Sequence, residues 1–381
     1  MIDVLQLFDW PAGWEQRVAL AQLSARLPAD RIRTRSAALG KPGSRPSSAA
    51  DLTWLPARLG GSRLFAPALA AATLRGHLAQ HPCDLLHAWS MPALAAASAA
   101  LGDNIPLVTS VFDPGISNRY VNLLRIVTDR PRSAVLCASE RVRRRLVERG
   151  VPYARCPLVR PAIDFAAVRQ VDAPALRARL GISETARLFT VAPQSIVDEG
   201  GLAALWAVLM RHHLDEPVCL AVSRRNRLAT RITELADLSG CPQVVACAGD
   251  DAPTEALCVA ADDLVIAETG EVSMTAVAWA MAGGTRVSAA ATYATTEMLT
   301  DGVNARLFKA PAEWRRRAAR LARLFDPDTE AARRAEAARG QAYEVFSLRR
   351  CVREHIRVYE NLRADQPPGE GLSDPALANR G

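Results

Sequence analysis

Short apolar runs bounded by turn-forming residues alternate, along most of the chain, with segments whose apolar positions recur at helical spacing. Val4 to Phe8 reads as a first strand, and Val18, Leu20, Ala21 and Leu23 mark a helix from about Gln16 to Leu27. Strands follow at 84–89, 106–111 and 134–140, with a helix starting near Ser90 and another over 141–149 that Gly150 closes. After a helical connector over 172–185 the rhythm restarts. Strands are expected at 188–192, 217–222, 243–246, 264–267 and 286–289, and helices at 202–210, 228–238 and 275–282. Strands that alternate with helices in this way imply parallel sheets with helices on both faces, so the fold class is α/β with two Rossmann-like, doubly wound domains. Amphipathic helices at 314–325 and 329–349 close the second domain.

The stretch 261–284 is the centre of this pattern. Leu264 to Ala267 is a buried-strand run, Glu268-Thr269-Gly270-Glu271 is a turn, and the Ala-rich segment Thr275 to Ala282 is a helix with Ser273 as its cap and Gly283-Gly284 as its stop. Ligands of open α/β sheets sit at such strand-to-helix turns.

Ala261-Asp262 and the turn to Glu271 resemble the donor-binding strand-turn-helix of the retaining GT-B glycosyltransferases, the family-four group, in which two glutamates eight positions apart line the donor pocket. The first falls on Glu271 and the second on Trp279. The match continues without a gap to Leu307, through Thr296-Glu297 and Asp301-Gly302, which resemble the family's "P-E-x-x-x-D-G-x-x-G-x-L". Gly13 and Glu15 match its first glycine loop, and Asp84 with His87 its "D-x-x-H". The segment 156–164 is similar to its exit from the first domain, and Phe346-Ser347 with Val358-Tyr359 to its closing helix. The resemblance implies a GT-B architecture. Residues 1–168 would form the N-terminal, acceptor-side domain, 169–345 the nucleotide-sugar-side domain, 346–362 a helix crossing back, and 363–381 a disordered tail.

Several ligand positions depart from the family. Phe112 stands where it usually has a histidine, with Asp113 beside it, and Gln194 and Glu199 stand where it has an arginine and a lysine for the diphosphate. Val272 and Met274 replace glycines, which hinders close backbone approach. A carboxylate in place of a cation ~4 Å from a phosphate changes the interaction by up to roughly 8 kcal/mol at an effective dielectric of 20. Millimolar binding is worth only about 4 kcal/mol. Arg224 and Arg225, in the turn after the strand at 217–222, are candidate substitutes for the lost cations; the other reading is a solvated turn. Trp279 can donate one hydrogen bond and accept none, and reads either as a stacking platform or as a core residue. His87 reads either as a cleft residue or as a satisfied core histidine. Glu271, Val272 and Ser273 remain donor-binding candidates, and Gly13, Glu15, His87 and Asp113 cleft candidates.

At 381 residues, 49% hydrophobic and 23% charged, the chain has the composition of a globular protein with a sizeable core. The net charge of +7 is carried almost wholly by arginine, since Lys41 and Lys309 are the only lysines. The arginines are scattered and no nucleic-acid-binding signature accompanies them, so they read as a solvated surface and no nucleic-acid partner is expected. Eight cysteines stand singly without a C-x-x-C, as reduced core residues. The N-terminus lacks a signal-peptide pattern, and Met91 to Leu101 is too short to span a bilayer, so a cytoplasmic protein is expected, with peripheral membrane contact left open.

The activity that the resemblance implies is transfer of a sugar from a nucleotide-sugar donor to a glycan or lipid-linked acceptor, with no metal and no further cofactor. The alternative is a catalytically inactive descendant acting as a binding or partner subunit. A third reading keeps nucleotide-sugar binding but performs epimerisation or hydrolysis.

Overall fold

The alternation of strand and helix produces two sheets with the same strand order. The computed structural model describes residues 1–10, 13–41, 52–57, 66–112, 116–192, 199–224, 226–249, 252–268, 272–326 and 328–372. The chain divides into two compact units, Met1–Ala162 with the C-terminal residues from Leu348, and Ile163–Ser347. The boundary thus lies a few residues before the expected 168.

Unit 1 runs β1 (Ile2–Asp9), α1 (Trp14–Ser24), β2 (Ile32–Gly40), β3 (Thr53–Pro56), α2 (Ala66–Gln80), β4 (Leu85–Ala88), α3 (Met91–Ala100), β5 (Leu107–Val111), α4 (Asn118–Thr128), β6 (Ser133–Cys137) and α5 (Glu140–Glu148). Unit 2 runs α6 (Phe165–Arg169), α7 (Ala173–Arg179), β7 (Arg187–Val191), α8 (Gly200–His212), β8 (Val218–Ser223), α9 (Ala229–Leu238), β9 (Val245–Ala248), α10 (Thr254–Ala260), β10 (Asp263–Ile266), α11 (Met274–Gly283), β11 (Arg286–Ala290), β12 (Arg306–Phe308), α12 (Trp314–Leu324) and α13 (Ala331–Val345). The last helix, α14 (Leu348–Arg363), belongs to unit 1. All ladders are parallel, in the orders β3-β2-β1-β4-β5-β6 and β12-β11-β10-β7-β8-β9. Both are the doubly wound order, in which the chain moves outward from the first strand and then returns to its other side.

Successive strand residues face opposite sides. Leu5, Leu7, Leu86 and Ala88 therefore enter one core of unit 1, while Val4, Phe8, Leu85 and Trp89 enter the other, against Val352, Ile356 and Tyr359 of α14. In unit 2, Phe189, Val191, Leu220 and Val265 pack with α8 and α12, and Leu188, Cys219 and Ala221 form the opposite core. The connector expected as one helix over 172–185 is only the two turns of α7, because Gly181 turns the chain at φ +69. β2, β3, α2, α4 and α10 were not legible from periodicity. Residues 364–372, expected as tail, fold back instead, with Asn361 Nδ2 donating to the carbonyls of Pro367 and Glu370.

The same device closes the middle of each sheet. Just before β4, Asp84 N–H donates to Asp3 O and the Asp84 carboxylate accepts from Asp3 N–H at 2.8 Å. Just before β10, Asp262 N–H donates to Leu188 O and its carboxylate accepts from Leu188 N–H at 2.8 Å and from Arg177 at 2.7 Å. Asp263, itself buried, joins Arg187 and Arg286 at 2.8 and 2.7 Å. Asp262→Ala should lower the stability of unit 2 by about 2 kcal/mol, and Asp84→Ala that of unit 1 by about 1 kcal/mol, read from urea unfolding.

Candidate functional site

In unit 2 the winding reverses between β7 and β10, so the segments after these strands leave the carboxyl edge of the sheet toward opposite faces. One leads to the N-terminus of α8, the other to that of α11. Gly200 opens α8 and touches the end of β10 directly: a Cβ there would lie 2.7 Å from Glu268 N and 2.8 Å from the Glu268 carboxyl carbon. Glycine is required at 200 by this main-chain approach. The Glu268 side chain, 2% exposed, consequently lies against the first residue of α8. Beneath it, Arg317 of α12 is buried and donates to Ala267 O at 2.9 Å.

Helix α11 is buried along its length, so its Ala-rich sequence serves close packing. Ser273 caps it by accepting from Ala276 N–H at 3.2 Å, and Gly284 ends it at φ +77. The N–H groups of Met274 and Thr275 have no partner within the helix, since a first turn cannot supply one. The Thr275 hydroxyl and the Trp279 indole N–H, one turn apart, are buried with no hydrogen-bond partner among the described residues.

The expected donor residues are distributed unevenly around this edge. Val272 and Ser273 are half-buried at the start of α11, whereas Met274 and Trp279 are core residues. Glu199 is exposed immediately before α8, and its carbonyl accepts from Ala203 N–H. Arg224 is exposed in the turn after β8. Asn226 anchors that turn to the end of β7, donating to Ala192 O at 3.4 Å and accepting from Leu228 N–H at 2.9 Å. Gln194, Arg225, Glu271 and Asp113 lie outside the described residues.

In unit 1 the corresponding reversal is between β1 and β4. Asp9 ends β1, where burial raises its carboxyl above the usual range while the Ser90 hydroxyl donates to it. Gly13 is exposed before α1 and Glu15 is half-buried in its first turn. Phe112 packs nearly parallel to Trp89, centroids 6.2 Å apart.

His87 is a core residue, not a cleft group. One ring nitrogen meets Tyr359 OH at 2.7 Å and the other Ser110 Oγ at 2.9 Å, while Trp89 Nε1–H donates to Gln6 at 2.6 Å. Burial pushes the His87 pKa well below 6.5, so the ring is neutral. His355 stacks beside it and donates to or accepts from nothing charged; its Nδ1–H bonds Cys351 O at 2.9 Å, and burial lowers its pKa to about 4.

Asp9, Glu268 and Arg317 were missed by sequence reasoning. Arg317 carried a signal: it falls on the same helical face as Trp314, Ala318 and Leu321, a core-facing position for a charged residue. Glu268 looked like an ordinary turn acid.

Residues 16–167 match the family model described as Glycosyltransferase Family 4. Among solved structures, HepE of Anabaena in complex with UDP-glucose is 16% identical, with 96% of this chain and 100% of that chain covered at TM-score 0.75. The chain has the GT-B fold, and its first unit is similar to the family-four model. Sucrose-phosphate synthase of Thermosynechococcus elongatus shares the fold at 13% identity, 96% and 100% coverage and TM-score 0.76. WaaG, a glycosyltransferase involved in lipopolysaccharide biosynthesis, does so at 17%, 94% and 99%, and 0.69. No curated protein matches the sequence. Among the described residues no group of His, Cys, Asp or Glu is placed to hold a metal.

Two outcomes test this arrangement. Gly200→Ala should cost about 3 kcal/mol through its collision with main chain, measured by thermal or urea unfolding. The unfolded chain protonates His355 below pH 6.5 while the folded one resists to about 4. Stability of unit 1 is therefore full above 6.5 and falls with pH, by about 3 kcal/mol more in the wild type than in His355→Gln as pH 4 is approached, in urea titrations across that window.

Proposed function

We propose that this protein is a metal-independent retaining glycosyltransferase that holds a nucleotide sugar on unit 2 and passes the sugar to a hydroxyl of a glycan or lipid-linked acceptor. The observation that carries this reading is the β7/β10 edge, from which the chain leads to the N-termini of α8 and α11 and where the buried cation Arg317 donates to Ala267 O. In the reaction the sugar C1–O bond to phosphate breaks, the diphosphate leaves with the electron pair, and the acceptor oxygen bonds C1 as its proton passes to the leaving phosphate. Charge accumulates on the leaving oxygen, so N–H groups fixed in advance lower the barrier most. Met274 and Thr275 N–H at the start of α11 supply them, with the dipole of a ten-residue helix behind. Arg224, on a turn that Asn226 ties to β7, supplies positive charge in place of Gln194 and Glu199, with Arg225 as the second candidate. Glu271 takes donor-sugar hydroxyls. HepE, of the same fold, holds UDP-glucose, which supports a nucleoside diphosphate sugar as the donor class.

A specific observation favours the second reading, a binding subunit without catalysis. The N-terminus of α8 already faces an internal anion, Glu268, and Glu199 precedes it. A carboxylate ~4 Å from a phosphate opposes it by about 4 kcal/mol at an effective dielectric of 20, as much as millimolar affinity is worth. The diphosphate is thus left to α11, and the donor is expected to bind weakly.

Calorimetric titration with the uridine, guanosine, adenosine and thymidine diphosphates and their sugars decides between the two. The transferase reading expects one nucleotide class to bind at or somewhat below about 1 mM. Gln194→Arg with Glu199→Lys should tighten it at least about tenfold. Absence of heat from every nucleotide, in both the wild type and that variant, rejects the transferase in favour of the binding subunit.

A further inference from the structure

Helix α8 has no polar face. Gly200 to Leu205, Ala207 to Leu209 and Arg211 are buried, as expected of a helix enclosed by β7, β10, α9 and α12; His212 is half-buried, and the two exposed positions are apolar. Trp206 is 39% exposed and Met210, one turn on, 43%. Leu214 follows at the same spacing just beyond the helix end, where the chain is still turning helically through Leu214 N–H to Arg211 O, and is 66% exposed. A solvent-facing helix stripe in a globular domain is normally charged or polar. Single exposed apolar residues are common, but three in register on one helix form a patch.

The neighbouring helix supplies charge of one sign. Trp314 of α12 packs on Trp206, centroids 6.1 Å apart, and the Arg315 guanidinium lies 5.5 Å over the Trp314 ring. Arg316, Arg320 and Arg323 recur at four- and three-residue spacing on the solvent side of α12, opposite its buried Arg317, Ala318, Leu321 and Ala322. Glu313 pairs with Arg316 at 3.0 Å and Asp326 with Arg211 at 2.5 Å, while Asp215, next to Leu214, is exposed. The surface therefore combines an exposed tryptophan, two flexible apolar side chains and a cationic border.

We propose that the α8–α12 surface of unit 2 docks on an anionic lipid membrane, with Trp206, Met210 and Leu214 entering the interface and the α12 arginines meeting lipid headgroups. Among the described residues no helix is long and apolar enough to cross a membrane, so this contact is peripheral. Its chemistry selects that occupant. A tryptophan beside aliphatic side chains suits the boundary between acyl chains and headgroups, and arginine lets its stem lie on apolar surface while its head meets phosphate. A neutral apolar partner would leave the arginine border unused. The inference does not depend on whether the donor site is active.

The test is co-sedimentation of the full-length protein with phosphatidylcholine vesicles that contain or lack phosphatidylglycerol. Binding is expected only with the anionic lipid, and to weaken as salt is raised. Trp206→Ser with Met210→Ser should reduce it about tenfold or more, and so should Arg316→Glu with Arg323→Glu. All four side chains are exposed, and unchanged melting temperatures establish that the variants fold. Failure of the wild type to bind anionic vesicles, or equal binding by wild type and both variants, overturns the proposal. So does a concentration-dependent dimer that Trp206→Ser abolishes, which would assign the patch to a second copy of this chain.

Discussion

The reciprocal bond at the centre of each sheet sets the place of everything functional. A parallel ladder can slide in register unless something fixes one pair of residues, and here an aspartate just before the fourth strand does so twice. Asp84 exchanges main-chain and side-chain bonds with Asp3, and Asp262 exchanges them with Leu188. Because strand rise is fixed at about 3.3 Å per residue, pinning the amino end pins the carboxyl end. Asp9 and Trp89 in unit 1, and Ala192 and Glu268 in unit 2, thereby arrive together at the edge where the winding reverses. The Ala-Asp that opens the donor-like stretch thus has a structural role, remote from any ligand.

That edge in unit 2 presents two helix N-termini with unequal prospects. At α8 the close approach of Gly200 brings a buried carboxylate against the first turn, so the positive end of that helix interacts with the protein's own Glu268. At α11 the Ser273 cap takes one N–H and leaves others, and no acid is placed against them among the described residues. Arg317 lies buried under the same edge and offsets part of the negative charge. The balance is a site that favours an anion on one side and opposes it on the other, which is why affinity, more than geometry, separates the two functional readings.

How much of this was legible in the sequence follows from which forces write themselves into local pattern. Strands buried on both faces appear as apolar runs, so β1, β4, β7 and β10 were readable, as were the caps Ser273, Gly150 and Gly284. β2 and the edge strand β3 were not, because Arg33, Arg35 and Thr53 break the apolar run. His87 illustrates a different limit. Its spacing is equally compatible with a cleft and a core, and only Tyr359, 272 residues away, decides between them. Glu268 was invisible for the same reason, since its meaning depends on a glycine 68 positions earlier. Site residues that act through a partner remote in sequence carry no local signature.

The residues of α11 are set first by packing: Met274 to Ala282 are all buried, and the helix is enclosed by α10, α13 and β11. A residue at 279 must first fill that space. An indole does so with a large apolar surface, worth several kcal/mol at about 25 cal/mol per Å² of buried area. Leaving its N–H without a partner costs only about 1–3 kcal/mol. An unmatched indole N–H at Trp279 is therefore tolerable to the fold. The same reasoning applies to Thr275, one turn earlier, whose methyl packs while its hydroxyl goes unmatched. Selection on stability alone would keep this helix as it is, so the ten residues of α11 attest to the architecture, and to no more than that.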